Sequence, residues 1–183
     1  MKNSKKLQIG VIGYAGIEEY PKDKAPKKEI YKAAEQVGFL LAKKGVIVVT
    51  GGKGGIMESA AIGAKKAKGI TVGVIKGNQR FRSNNFTDVE ILSGMAADGF
   101  DEFLLVNMCD VLITIGGGAG TLEEIVIAYR NKKPIIALEK TGGWTDKTIG
   151  KFLDERETIK VESARTPEEA VKKAIGFAKK LYE

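Results

Sequence analysis

Residues 116–124 read GGGAGTLEE. Ahead of them stands DVLITIG (110–116), an apolar, β-branched run. Behind them comes TLEEIVIAYRNKK (121–133), apolar at helical spacing. A glycine run between a buried-strand pattern and a helix pattern is the strand-to-helix corner of a parallel α/β sheet. Glycine takes positive φ and lets backbone N–H groups approach an anion with no Cβ in the way. The helix that follows adds unpaired N–H donors and the positive end of its dipole. The corner therefore reads as a phosphate cradle, with Gly117, Gly118, Ala119, Gly120 and Thr121 as its contacts.

The alternation extends in both directions. Strand patterns stand at LQIGVIG (7–13), VIVVT (46–50), ITVGVI (70–75), VEILS (89–93), KPIIAL (133–138) and TIKVE (158–162). Helix patterns stand at 28–44, stopped by Gly45, at 56–68, stopped by Gly69, and at 100–109. A short helix is expected near DKTIGKFLDE (146–155), and TPEEAVKKAIGFAKKLYE (166–183) closes the chain as an amphipathic helix. Strands that are apolar without alternation are buried on both faces. The expected fold is thus α/β: a single Rossmann-like domain over residues 1–183, with a mostly parallel, doubly wound sheet and helices on both faces.

Two more strands end in glycine. VIGYAG supplies Gly13 and Gly16, with Tyr14 between them as a candidate ring or sugar contact. VVTGGKGG supplies Gly51, Gly52, Gly54 and Gly55. A tight turn explains any one of these corners. Three at the carboxyl ends of strands in one small sheet point to a nucleotide or another phosphate-bearing ligand.

Composition narrows the chemistry. The 183 residues carry a net charge of +7, one cysteine and no histidine. Without histidine there is no Ser-His or Cys-His nucleophile pair and no His-based metal site. Acid–base work falls to Asp, Glu, Lys, Tyr or Cys. No metal site and no bound cofactor is expected. Cys109 cannot form an internal disulfide and suits a reducing, cytoplasmic setting. No apolar run reaches the roughly 20 residues of a membrane span, and the lysine-led start MKNSKKLQIGVIG reads as a first strand, not a leader. The lysines spread along helix faces, at Lys43, Lys44, Lys65, Lys66, Lys172, Lys173, Lys179 and Lys180. Without interleaved aromatics, that spread argues for solvated faces over nucleic-acid binding.

Thr121 and Glu124 have the spacing of a capping box, Thr at N-cap and Glu at N3. Thr166 and Glu169 repeat that spacing with no glycine run ahead of them, so the signature alone implies no catalysis. Two roles stay open for Glu124, helix cap and catalytic carboxylate. Asp110 reads as a strand-start cap, and Met57, Met108 and Cys109 as core. Trp144 suits either stacking on a base or an exposed loop.

The glycine corner resembles the LOG family, also labelled lysine-decarboxylase-like, whose signature is PGGxGTxxE. Gly117, Gly118, Gly120, Thr121 and Glu124 match, and Gly116 replaces the proline. GGKGGIMESAAIGA is similar to the family's first glycine corner. The Gly116 variant resembles the branch that includes molybdenum-cofactor carrier proteins. A looser likeness, over 48–75, is to the Rossmann domain of DNA-processing protein A. The LOG resemblance implies a phosphoribohydrolase that splits nucleoside 5′-monophosphates into base and ribose 5-phosphate, with phosphate on Gly117–Thr121 and Glu124 beside the ribose. It also implies a dimer or tetramer, with Ile125, Val126, Ala128 and Tyr129 as a compatible stripe. The carrier branch implies binding without turnover, and the looser likeness a DNA binder. One departure stands out. Where the family has a basic pair, this chain has Asp101 and Glu102. The preferred reading makes them solvated acids at a helix start. Alternatively they face a cationic or metal-bearing ligand, or Lys53, Arg80 or Arg82 replaces the lost cations. No feature marks the lysine or ring-nitrogen partner that pyridoxal phosphate needs.

Overall fold

A computed structural model describes residues 5–16, 20, 25–97 and 99–182. Among these residues, seven parallel strands form one sheet in the order β4-β3-β2-β1-β5-β6-β7. The strands are β1 (Gln8–Gly13), β2 (Ile47–Thr50), β3 (Thr71–Ile75), β4 (Val89–Leu92), β5 (Val111–Ile115), β6 (Ile135–Leu138) and β7 (Glu162–Ala164). The helices are α1 (Lys28–Lys43), α2 (Ile56–Lys66), α3 (Phe100–Met108), α4 (Ala119–Arg130), α5 (Gly143–Thr148) and α6 (Pro167–Lys180). The fold is α/β and Rossmann-like, as expected, and the sheet is parallel at every described pairing.

Burial on both faces shows residue by residue. Ile9, Val11, Val111, Ile113, Ile115, Ile136 and Leu138 pack with α1, α2 and α6. Their alternates Ile12, Leu112, Ile135 and Ala137 pack on the opposite face with α3 and α4. The period-two geometry of a strand divides one apolar run between two cores. Cys109 is buried in the second core, and burial pushes its thiol up, away from thiolate chemistry. On the first face α1 and α2 touch backbone to backbone. A Cβ at Gly38 would overlap the Ala60 carbonyl, and one at Gly63 the Glu35 carbonyl.

Three local expectations are corrected. α5 starts at Gly143 and ends at Thr148, ahead of the expected 146–155. Gly142 provides the turn (φ 78°), and the Asp146 carboxylate accepts its N–H at 2.8 Å. The last strand is Glu162–Ala164, not 158–162. Val161 instead exchanges backbone bonds with the chain after α5, Gly150 N–H to Val161 O at 2.9 Å and Val161 N–H to Lys151 O at 3.0 Å. α4 begins at Ala119, two residues ahead of Thr121. Asp110 braces a neighbouring strand: its carboxylate accepts the Gln8 N–H at the head of β1 at 2.8 Å.

The topology places the site. The chain lays β1 to β4 outward on one side, then returns to put β5 on the other side of β1. In such sheets a crevice opens at the carboxyl ends of the strands where the winding reverses.

Candidate functional site

β5 leaves the sheet through Gly116 (φ 66°) and Gly117 (φ 98°). Side chains seldom adopt that backbone, and here there is also no room for them. A Cβ on Gly116 would overlap the Tyr14 ring, and one on Gly117 the Thr121 side chain. The corner is clamped from behind by the loop and first turn of α5. Gly116 N–H donates to Thr141 Oγ1 (2.9 Å), Thr145 Oγ1 donates to the Gly116 carbonyl (2.6 Å), and Trp144 N–H donates to the Gly117 carbonyl (3.0 Å).

Gly118 is the N-cap of α4, and no side chain caps it. The first described bond of the helix runs from Leu122 N–H to the Gly118 carbonyl at 3.1 Å. The N–H groups of Ala119, Gly120 and Thr121 thus have no intrahelical acceptor. The expected capping box is absent. Thr121 is a buried residue of the first turn, packed on Gly117. Where no glycine corner precedes, the same signature does cap: Glu169 N–H donates to Thr166 Oγ1 at 3.2 Å. Glycine at position 118 starts α4 early, which carries Glu124 past the cap and turns it inward.

The other two corners lock together. Ile56 N–H donates to the Tyr14 carbonyl at 2.9 Å, and a Cβ on Gly55 would overlap the Ala15 carbonyl. Asn84, from the loop after β3, holds the second corner. Its side-chain amide donates to the carbonyls of Gly52 (3.1 Å) and Lys53 (3.0 Å). These contacts fix the backbone that carries the Lys53 side chain.

Between the corners lies a cavity of about 230 Å³. Of the residues expected at the site, Gly13, Gly51, Gly118, Ala119, Gly120, Thr121 and Glu124 line it. Gly16, Gly52, Gly54, Gly55, Gly117 and Tyr14 do not line it; they form the turns behind. The Tyr14 ring packs beneath Gly116 and stands edge-on to Tyr20 at 5.2 Å, and Tyr20 reaches the lining. Met57, expected as core, is nearly buried yet also meets the cavity, where Val74 and Leu105 join it. Trp144 lies outside the lining, its ring under the Lys147 ammonium at 4.5 Å. Arg80 and Arg82 belong to the loop after β3 and do not reach the cavity; Lys53 does.

Opposite the cradle stand carboxyl groups. The solvated reading of Asp101 is overturned: Asp101 is 6% exposed, lines the cavity, and its Oδ1 is buried with no hydrogen-bond partner among the described residues. A buried acceptor left unpaired costs about 1–3 kcal/mol. Glu102 is half-buried and accepts the Gly99 N–H at 3.1 Å. Burial raises its carboxyl above the usual range, and neighbouring Asp101 adds to the rise. Glu124, 8% exposed, is raised well above that range, mainly by burial and then by Glu102, while Lys53 opposes the shift. Both shifts favour the protonated acid. α3 and α4 start against each other, so these acids share the positive ends of two helices. Among the described residues no group of three or more His, Cys, Asp or Glu side chains could hold a metal ion. No described helix is long and apolar enough to cross a membrane. In the implied oligomer stripe, Ile125, Ala128 and Tyr129 belong to the chain's own core, and Val126 is 39% exposed.

Neighbours with this architecture are known. The X-ray structure of TM1055, a structural-genomics target, aligns at a TM-score of 0.82 with 35% identity, covering 93% of this chain and 99% of that one. The molybdenum cofactor binding protein of Rippkaea orientalis aligns at 0.78 with 28% identity over 99% and 100% of the two chains. The molybdenum cofactor carrier protein of Chlamydomonas reinhardtii aligns at 0.76 with 27% identity over 98% and 100%. An uncharacterized protein of Archaeoglobus fulgidus is 36% identical over 135 residues, 74% of this chain and 82% of its own length. DNA processing protein A of Helicobacter pylori shares the fold, at a TM-score of 0.66 and 16% identity over 93% of this chain and 80% of its own. The match to the SLOG cluster4 family covers residues 6–171 and so takes in all three glycine corners and the acids facing them; the chain belongs to that family.

Proposed function

We propose that this protein binds a phosphate-bearing ligand in the cavity and holds it without turnover, as a carrier or sensor. The phosphate sits over the N–H groups of residues 118–121, at the positive end of α4, and Lys53 supplies the balancing cation. The carrying observation is the acid cluster facing that cradle. A hydrolase using Glu124 as an anion beside an oxocarbenium-like transition state needs it ionised, and burial favours its neutral form. No cation stands at positions 101 and 102 to help a leaving base.

The names of the Rippkaea and Chlamydomonas neighbours support cargo of the molybdenum-cofactor kind. That cofactor carries a phosphate, which suits the cradle. It would arrive with its metal already bound. The chain's own residues would grip the phosphate and the organic frame.

A second reading has one observation in its favour. Glu124 lines the cavity, and a carboxyl that burial holds in its neutral form can serve as a general acid. Incubating the protein with a panel of nucleoside 5′-monophosphates, with Glu124→Gln alongside, decides between the two. Nucleotide binding by calorimetry without free base in the mass spectrum is expected. Base release that disappears in a folded Gln variant would replace the carrier reading with phosphoribohydrolysis.

A further inference from the structure

A second cavity, of about 220 Å³, opens between the loop after β3 (residues 76–88) and the edge strand β4. It shares no lining residue with the first. Phe81 stands on its wall, 84% exposed and with a left-handed backbone (φ 60°). A bulky side chain seldom takes that backbone, and an exposed ring gains no burial in return; such outliers gather where a side chain has work to do. The Glu90 carboxylate fixes the turn. It accepts the N–H groups of Phe81 (2.7 Å), Arg82 (3.0 Å) and Ser83 (2.9 Å) and the Ser83 hydroxyl (2.8 Å). Asp88 is committed too, to the Lys65 ammonium and to the N–H and hydroxyl of Thr71. The acids of this wall are thus matched by fixed donors. Arg80 is not matched: its guanidinium lies over the Phe81 ring at 5.0 Å and pairs with no carboxylate among the described residues.

We propose that this second cavity binds a small anion, carboxylate or phosphate, carried on a flat ring, and that its occupancy tunes the grip of the first cavity. The anion pairs with the guanidinium fork of Arg80, and the ring stacks on Phe81. The loop passes the effect inward. Directly after the turn that Glu90 holds, Asn84 donates its backbone N–H to the Gly52 carbonyl (2.7 Å) and its side-chain amide to the Gly52 and Lys53 carbonyls. A ligand that bridges Arg80 and Phe81 restrains residues 80–83 and so stiffens the corner that carries Lys53. Two sites that bias one element are coupled in both directions. The coupling rests on the phosphate reading above; the second site itself does not.

Amide NMR spectra of the full chain, titrated with nicotinate, UMP and inorganic phosphate, test this. Nicotinate and UMP are expected to move the signals of residues 80–85 to saturation, and inorganic phosphate, which has no ring, those of 118–121. Tighter binding of nicotinate at 80–85 names a carboxylate ligand and tighter binding of UMP a phosphate; each supports the site. Arg80→Gln removes the charge. Phe81→Gly removes the ring and suits the left-handed backbone, so its Tm should hold or rise. Each variant is expected to weaken nicotinate by about 5-fold or more. With nicotinate saturating, inorganic phosphate is expected to bind about 5-fold tighter at 118–121, the low end of couplings between sites. Signals at 80–85 that stay put with both ring anions, or nicotinate binding unchanged in both variants, would overturn the site. Phosphate affinity indifferent to nicotinate would overturn the coupling through Asn84. Inorganic phosphate that moves no signal at 118–121 would overturn the cradle reading, while shifts at 80–85 would still uphold the second site.

Discussion

Replacing Gly120 with alanine separates the chemistry of the cradle from its packing. Gly120 is the second residue of α4 and is not among the glycines with positive φ. A Cβ added there has Glu102 Oε1 as its nearest heavy atom, at 3.8 Å, an ordinary contact. Stability therefore has no steric reason to fall. Alanine is favoured over glycine by up to about 1 kcal/mol inside a helix, and by about 0.4–1 kcal/mol where the gain comes from a stiffer unfolded chain. For a protein of this size 1 kcal/mol moves Tm by about 2–4 °C, so a rise of about 1–4 °C is expected. Binding should move the other way. The new methyl group stands among the N–H donors that meet the phosphate, and losing one hydrogen bond to a charged group costs about 1.5–3 kcal/mol, or about 10- to 150-fold in Kd. Scanning calorimetry gives the first quantity, and competition between inorganic phosphate and a nucleoside 5′-monophosphate gives the second. A lower Tm would refute the packing argument. A higher Tm with unchanged affinity would show that no phosphate sits over Gly120.

Other substitutions probe the surrounding structure. Because burial raises the Glu124 carboxyl in the folded state, the fold binds its proton more tightly than the unfolded chain does. Its stabilising effect is complete below the unfolded value near about 4.3 and is lost by the time pH has risen through the folded value; Glu124→Gln should thus gain Tm over the parent progressively from the unfolded value upward and level off above the folded one, and a constant difference in melting across pH 4–9 would refute this. Gly38→Val forces a side chain into the Ala60 carbonyl and should cost at least about 1–3 kcal/mol in urea unfolding, whereas a neutral result would mean that α1 and α2 separate freely. Asn84→Ala removes the side-chain bonds to the Gly52 and Lys53 carbonyls and leaves only the backbone N–H of residue 84 on Gly52; nucleotide affinity should fall severalfold with little loss of Tm, and intact affinity would detach Lys53 from the site. Thr166→Ala should cost about 1 kcal/mol as a lost N-cap, measured by the same unfolding curve.

Periodicity and glycine placement were enough to determine the sheet, its parallel character and the three corners. Those are local properties: strand runs such as VLITI carry two faces of apolar side chains whatever surrounds them, and glycine's missing Cβ is a property of the residue. Boundaries were less legible where tertiary pairing competes with pattern, as when Val161 leaves the expected strand to pair with the chain after α5.

The site divided along the same line. The backbone half, residues 117–121, could be read from GGGAG, because an anion cradle is made of N–H groups that any glycine corner exposes. The side-chain half could not. Asp101 and Glu102 look like ordinary helix-start acids in sequence, and T-x-x-E looks the same at Thr121 and Thr166. Only the packed structure sets the start of α3 against the start of α4, buries Asp101 and Glu124 and turns them into one cavity with Lys53. The charge state of a carboxyl depends on the water removed from it and the charges set beside it, and both are fixed by residues distant in the chain that meet only after folding.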